Sequence, residues 1–178
     1  GERDVCGQEA QQSRTSGLDE CTGQFNARKE ICGVLGEAPY NPIIDPSNFP
    51  TSTKITNEYF PLKPGTTYIY EGQTEKGNEH IEVKVTKKTK VILGVTCVAV
   101  MDTVTVDGEL AEDTIDWYAQ DKDGNVWYFG ENSLSYENGL IVSLEGSWMA
   151  GVDGAKPGIV MEASPKIGDS YRQEYYKG

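Results

Sequence analysis

Hydrophobic and polar residues alternate along most of the chain after Ile55, in short runs that turn residues separate. Ile81, Val83 and Val85 alternate with polar residues, as in a strand with one buried face. Residues 91–100 form a more continuously apolar run that contains a single glycine, which is typical of a strand buried on both faces. Nine or ten such runs predict a mainly β domain, an antiparallel sandwich or open barrel.

The beginning of the chain has a different pattern. Residues 1–17 contain only Val5, Cys6 and Ala10 as apolar side chains, a composition that stays disordered unless something else holds it. Apolar residues then recur at helical spacing and predict one short helix over about residues 17–35. The apolar positions of this helix are Leu18, Cys21, Phe25, Cys32 and Leu35.

A connector is expected to separate the helix from the β domain. Gly33 or Gly36 would end the helix, because glycine readily adopts the left-handed conformation found there. Three of the prolines in residues 38–53 follow one another at four-residue spacing, which excludes a helix and favours extended chain; they are Pro42, Pro46 and Pro50. The sequence therefore predicts an N-terminal arm over residues 1–53 and an antiparallel β domain over residues 54–178.

The four cysteines, Cys6, Cys21, Cys32 and Cys97, fit neither a zinc knuckle nor a redox C-x-x-C motif. They predict disulfides, and hence an exported protein of the extracellular space or cell surface whose signal has been removed; scattered thiols in a cytosolic protein are the alternative. On an unbroken helix Cys21 and Cys32 lie about 16 Å apart, too far for a bond. We therefore expect one bond inside the arm and one that staples the arm to Cys97. A break at Gly23 would instead permit a bond between Cys21 and Cys32.

Charge narrows the range of partners. The chain of 178 residues has 16 Lys and Arg against 28 Asp and Glu, a formal net charge of -12. Nucleic acid and anionic membrane surfaces would repel such a protein. No window approaches the roughly 18 uninterrupted apolar residues of a membrane span.

Acidic residues are densest between positions 102 and 131. Asp121, Asp123 and Asn125 occupy alternate positions, as the first ligands of a calcium loop do. The pattern then departs from an EF-hand, which needs Gly at its sixth position and Glu at its twelfth, where this chain has Val126 and Asn132. A solvated hairpin turn and a calcium site are therefore both considered, and no other cofactor is implied.

Motifs for catalysis are not apparent. The sequence has no phosphate loop, no dinucleotide-binding glycine pattern and no pairing of Cys with His, and His80 is its only histidine. Two carboxylates could serve a glycosidase, but the sequence does not show which acids lie together. We therefore predict a protein that is not an enzyme.

Aromatic residues flank the acidic turn on both sides. Neighbouring side chains of a strand point to opposite faces, so Trp117 and Trp127 can fill the core while Tyr118 and Tyr128 face outward, or the reverse. The outward face could stack on a sugar or contact another protein. A glycan is thus a candidate ligand.

Three stretches carry a resemblance: DWYAQDKDGNVWYFGE at 116–131, YFPLKPGTTY at 59–68 and GVDGAKPG at 151–158. Over about residues 55–176 the chain resembles a family of uncharacterised exported bacterial proteins. That resemblance implies an exported β-rich protein and carries no assigned chemistry. An arm joined to a β-rich body also resembles subunits of extracellular fibrils that are built head to tail.

The predicted function is that of a non-enzymatic structural subunit of an extracellular filament or surface assembly. The arm of one protomer would dock on the β domain of the next, giving a head-to-tail homopolymer. A late tyrosine-rich strand at 170–176 would offer an open edge for this contact. The alternative is a monomeric extracytoplasmic module that binds a glycan or a cation. Candidate residues of the assembly or ligand surface are Val5, Tyr118, Tyr128, Tyr171 and Tyr175.

Overall fold

The structure, a computed structural model, describes residues 2–36, 38–50 and 53–176. The chain divides into two compact units, residues 1–39 and residues 40–178. The first unit is one helix. The second, called the β unit below, is an antiparallel sheet curled into a half-barrel, and 45% of the chain is strand. The prediction of a mainly β protein with an N-terminal helix is confirmed.

The helix α1 spans Glu2–Leu35 and is longer than the predicted 17–35. Residues 2–16 contain two Glu, three Gln and two Arg, whose high helix propensity extends the helix although the segment has few apolar residues. The side chains of residues 5–34 are all exposed. The helix ends before Gly36, which has a φ of 83° and supplies the left-handed cap that was predicted.

The disulfide staple is not present. Cys6, Cys21 and Cys32 are free and exposed on α1, and Cys97 is free and buried in the β unit. The bond predicted inside the arm is wrong because α1 continues through Gly23, which holds its three thiols far apart along one axis. The staple to Cys97 is wrong because the core of the β unit encloses that thiol, which is 0% exposed. Burial raises the pKa of Cys97 to about 12.

The β unit begins with a 3-10 turn at Pro46–Asn48, which Asp45 caps by accepting a hydrogen bond from the Ser47 N–H at 2.9 Å. The described strands are β1 Thr67–Thr74, β2 Gly77–Ile92, β3 Val95–Val106, β4 Glu109–Gln120, β5 Val126–Glu137, β6 Leu140–Ser143, β7 Trp148–Met149, β8 Lys156–Met161 and β9 Glu174–Tyr175.

The strands form one antiparallel sheet in the order β1-β2-β3-β4-β5-β8-β9, and β6 and β7 also pair with β5. The register shifts by a bulge in most of these pairs, for example between Val85 and Thr89 and between Trp117 and Tyr118. Bulges bend a strand and increase its twist, so they account for the curl of the sheet.

Both faces of the central strands are packed. Cys97 and Ala99 of β3 join a core cluster around Phe129, whereas Val98 and Val100 join a second cluster around Val85. This division follows from the alternation of side chains along a strand. Burial on both faces explains why four successive residues of β3, Cys97 to Val100, are all buried.

The proline-rich connector belongs to the β unit from Tyr40 onward. The Tyr40 hydroxyl donates to the Pro157 carbonyl at 2.8 Å. Phe49 is buried and packs edge-on against Phe129, with the ring centroids 5.6 Å apart. The connector is therefore anchored at both ends, by a hydrogen bond and by an aromatic contact.

Within the described residues, no helix is both long enough and apolar enough to cross a membrane.

Candidate functional site

The candidate site is a pocket of about 350 Å³ on the face of the sheet that carries the Val85 cluster. We call it the aspartate pocket. Apolar and aromatic side chains form most of its lining, two acids lie among them, and the lining contains no Lys or Arg. Its residues are Tyr59, Phe60, Pro61, Leu62, Tyr68, Tyr70, Val83, Val100, Asp102, Asp116 and Tyr118.

One wall of the pocket is the loop from Ile55 to Leu62. The backbones of these two residues exchange hydrogen bonds of 3.2 and 3.1 Å, which close the loop. Asn57 holds it from within: its Oδ1 accepts from the N–H groups of Tyr59 and Phe60 at 2.9 and 3.0 Å. The loop is therefore fixed by its own hydrogen bonds.

Asn57 also ties this wall to the rest of the β unit. It is only 5% exposed, and its Nδ2 donates to the carbonyls of Gly124 and Glu162, both at 3.0 Å. Every donor and acceptor of the amide group is thus used. A single buried side chain positions the aromatic wall against the sheet.

Asp116 of β4 lies at the inner end of the aspartate pocket and is 8% exposed. Its Oδ1 accepts a hydrogen bond of 2.6 Å from the Tyr128 hydroxyl. Burial raises the pKa of Asp116 to about 7; the bond from Tyr128 opposes this rise, and the charges of Glu131, Asp102 and Glu112 add to it. The carboxyl group therefore changes its charge near neutral pH.

Asp102 of β3 is the second acid of the pocket. Its Oδ1 is buried and has no hydrogen-bond partner among the described residues. Burial, and to a lesser extent the charge of Glu112, raises the pKa of Asp102. A buried acceptor without a donor is costly, so this oxygen is a ready partner for a donor that enters the pocket.

Three aromatic rings, those of Phe60, Tyr118 and Tyr128, pack in sequence beside Asp116. Tyr118 stacks on Tyr128 with the ring centroids 4.8 Å apart and the planes inclined by 17°. Phe60 meets Tyr118 edge-on, with the centroids 5.5 Å apart. Burial raises the pKa of both tyrosines above the ordinary value, so their hydroxyls stay protonated.

The predicted calcium ligands form a turn that is closed by its own hydrogen bonds. Asp121 Oδ1 accepts from the Asn125 N–H at 2.8 Å, and Asp121 Oδ2 accepts from the Asn125 amide at 2.9 Å and from Trp127 Nε1 at 2.8 Å. Asn125 Oδ1 accepts from the Ala163 N–H at 2.9 Å, and Asp123 is exposed. Among the described residues, no group of three or more His, Cys, Asp or Glu side chains is arranged to hold a metal ion.

The predicted assembly residues occupy different environments. Val5 lies on α1 and is 54% exposed, whereas Tyr128 is buried and faces the core instead of solvent. Tyr118 is half-buried in the aspartate pocket. Tyr171 and Tyr175 are also half-buried, and the Tyr175 ring lies 5.4 Å from Lys156 Nζ.

Sequence reasoning did not single out Asn57, Asp102 or Asp116. A usable signal existed for Asp102, because Val100 and Val104 at i−2 and i+2 place it on an apolar face of its strand, whereas Thr114 and Tyr118 give no such signal for Asp116. An acid placed on the buried face of a strand must be paired or neutral, so it marks a site.

The arrangement can bind a positive charge. A buried carboxylate gains more from a neighbouring cation than an exposed one, since water screens it less. Aromatic faces add attraction for the same charge. The comparisons with known proteins add no assignment, since no family model, curated protein or solved structure matches the chain.

Proposed function

We propose that the β unit is a non-enzymatic binding module that receives a small organic cation, such as a primary or quaternary amine, in the aspartate pocket. The observation that carries this proposal is Asp116, a carboxyl group that is 8% exposed and faces an aromatic pocket without a basic partner in the lining. A bound cation would supply the positive charge that the lining of the pocket lacks.

The lining favours a cation over an anion or a neutral sugar. Asp102 and Asp116 repel anions, and the net charge of -12 strengthens this effect. The volume of about 350 Å³ is at the small end of ligand pockets. Four tyrosines and Phe60 provide faces for a cation, as in sites that recognise quaternary ammonium groups.

Calorimetry with benzylamine and benzyltrimethylammonium tests this proposal, with benzyl alcohol as the neutral analogue. At pH 8 we expect both amines to bind, benzyl alcohol to bind at least 10-fold more weakly, and Asp116→Asn to weaken amine binding about 10- to 100-fold. Affinity for benzyltrimethylammonium should fall as the pH drops below about 7, because Asp116 then becomes neutral.

The matched control is Asp123→Asn, the same change at an exposed acid of the 121–125 turn. Amine binding should be unchanged in this variant. If neither amine binds, or if Asp116→Asn binds as tightly as the native chain, the proposal fails. Parallel titrations with Ca²⁺ and cellobiose examine the predicted calcium and glycan ligands, and Ca²⁺ binding that Asp123→Asn weakens would favour the calcium site instead.

A second proposed function is the structural subunit of an extracellular assembly, in which the arm of one protomer docks on the β unit of another. The observation in its favour is that α1 exposes its apolar side chains, such as Val5 at 54%, which lies within residues 1–16, and Leu18 at 57%. Exposed apolar side chains in a row are typical of a surface that another molecule covers. The resemblance to exported proteins and to fibril subunits is consistent with this proposal.

Electron microscopy of the full chain and of a variant without residues 1–16 tests the assembly. We expect the full chain to form filaments and the shortened chain to form none, because the deletion removes nearly half of the helix Glu2–Leu35. Filaments that persist unchanged in the shortened chain would refute docking by the arm. Complete absence of filaments in the full chain would also refute it.

A further inference from the structure

Six residues form one side of the second half of α1. They recur at intervals of three and four residues, the spacing of a helix-pairing seam, and are Leu18, Cys21, Phe25, Arg28, Cys32 and Leu35. We call this set the helix seam. At about 100° per residue, Cys21 and Cys32 point only about 20° apart. Both thiols are exposed.

The composition of α1 gives the helix little stability of its own. Its four glycines, Gly7, Gly17, Gly23 and Gly33, each have no heavy atom within 4 Å of where a Cβ would lie. Each glycine costs a helix about 1 kcal/mol relative to alanine. An exposed helix with these glycines is expected to fray unless a partner covers it, because packing supplies most helical stability in proteins.

A second copy of α1 fits the helix seam when it runs antiparallel. In one antiparallel alignment Leu18 faces Leu35 of the other copy and Cys21 faces Cys32. The residue numbers of every facing pair in this alignment add up to 53. Phe25 then faces Arg28. Each of these contacts occurs twice by symmetry, and together they match apolar with apolar, thiol with thiol, and cation with aromatic ring.

Charge favours this direction over the parallel one. A parallel pair in register would place Arg28 against Arg28, two like charges at the seam. The antiparallel pair avoids that repulsion. The acids of this half of α1, Asp19, Glu20 and Glu30, lie on the other sides of the helix and meet no copy of themselves at the seam.

We propose that two copies of the chain associate through antiparallel helix seams and that two interchain disulfides, each joining Cys21 to Cys32, lock the dimer. Within one chain these thiols lie about 16 Å apart along α1, so they cannot bond each other. Oxidised glutathione, a disulfide donor, would supply the oxidising equivalents. For each bond formed, two thiols lose two protons and two electrons, and one molecule of donor becomes two thiols.

The pairing does not rest on the cation proposal, and it competes with arm docking because both would cover Leu18 and Phe25 of α1. It would hold whether or not the aspartate pocket binds a cation. An antiparallel pair is also a closed two-fold contact, so by itself it gives a dimer and not the filament of the second proposed function.

Cross-linking of the full chain tests the proposal. Equal amounts of ¹⁵N-labelled and unlabelled protein are mixed, treated with oxidised glutathione and analysed by non-reducing electrophoresis and mass spectrometry of tryptic peptides. Cleavage after Arg14, Arg28 and Lys29 separates the two thiols, with Cys21 in peptide 15–28 and Cys32 in peptide 30–54. We expect a dimer in which mixed-isotope peptides join Cys21 to Cys32.

Bonds that join like cysteines instead, or a chain that stays monomeric, would overturn the proposal. Two variants test whether the cross-link between chains forms by random collision of the thiols. Phe25→Lys, on the seam, puts a cation against Arg28 of the other copy and should slow dimer formation at least tenfold, whereas Asn26→Lys, one position further around the helix, should leave the rate within twofold. Equal rates in these two variants would also overturn the proposal, since the thiols would then react without the seam.

Discussion

In the variant Asp116→Asn, the fall in stability between pH 4 and pH 7 is expected to become much smaller than in the native chain. The folded chain keeps the Asp116 proton until about pH 7, whereas the unfolded chain releases it near 3.8. Unfolding therefore releases a proton between these two values, so the free energy of unfolding decreases as the pH rises. The decrease that this one group causes is about 4 kcal/mol, at about 1.36 kcal/mol for each pH unit.

The measurement is urea unfolding at half-unit intervals from pH 2.5 to pH 8. At pH 2.5 native Asp116 is almost entirely neutral in both states, so the two proteins should have similar stabilities there. Above pH 7 the Asn variant should be the more stable one, because it does not bury a charge. Asp123→Asn serves as the control and should follow the native profile. A native pH profile in the Asp116→Asn variant would show that this carboxyl group is not the buried acid described above.

The variant Asn57→Ala is expected to lose about 2 to 4 kcal/mol of stability and to bind ligands of the aspartate pocket more weakly. It removes four hydrogen bonds at a site that is 5% exposed, and it leaves the Tyr59 and Phe60 N–H groups without their acceptor. Unsatisfied buried groups cost about 1 to 3 kcal/mol each, reduced where water reaches them. The wall of the pocket would lose its fixed position.

Thermal and urea unfolding measure the change in stability, and calorimetry with benzyltrimethylammonium measures binding. Asn132→Ala is the matched control, because Asn132 is exposed on β5, and its stability should stay within about 0.5 kcal/mol of the native value. A loss of stability without any loss of binding would mean that the 55–62 loop contributes little to recognition.

The sheet could be predicted from the sequence because its strands alternate clearly, yet the apolar run at 91–100 was interpreted as one strand. It is a hairpin: β2 ends at Ile92, β3 starts at Val95, and the tight turn uses Leu93 and Gly94, with φ of 50° and 81°. Val91 is 66% exposed although it is apolar. Hydrophobicity alone does not mark such a turn, whereas the glycine within the run did indicate it.

The length of α1 could not be predicted from periodicity. Residues 2–16 have too few apolar side chains to give a helical pattern, and only their propensity favours a helix. The two expected disulfides required either a shorter helix or a Cys97 thiol that the cysteines of the arm could reach. Once α1 is continuous and Cys97 is enclosed in the core, neither bond within the chain is possible.

The aspartate pocket was the hardest feature to predict, because it depends on contacts between distant segments. Gly124 and Glu162 meet Asn57 only after the strands have paired. The sequence allows Tyr118 and Tyr128 to face either outward or inward. Simple alternation does not decide between these orientations, because a bulge lies between Trp117 and Tyr118. Tyr128 is buried in one core cluster with Trp117 and Phe129, and Tyr118 is half-buried against it.

The enclosed thiol of Cys97 gives this protein an internal reporter of unfolding. A thiol with a pKa of about 12 and no exposed surface is inert towards alkylating reagents as long as its strand stays folded. The three thiols of α1 are open to the same reagents. In the reduced chain the number of alkylated cysteines per molecule therefore rises from three to four only when the sheet opens, and the rate of the fourth modification measures how often that opening occurs.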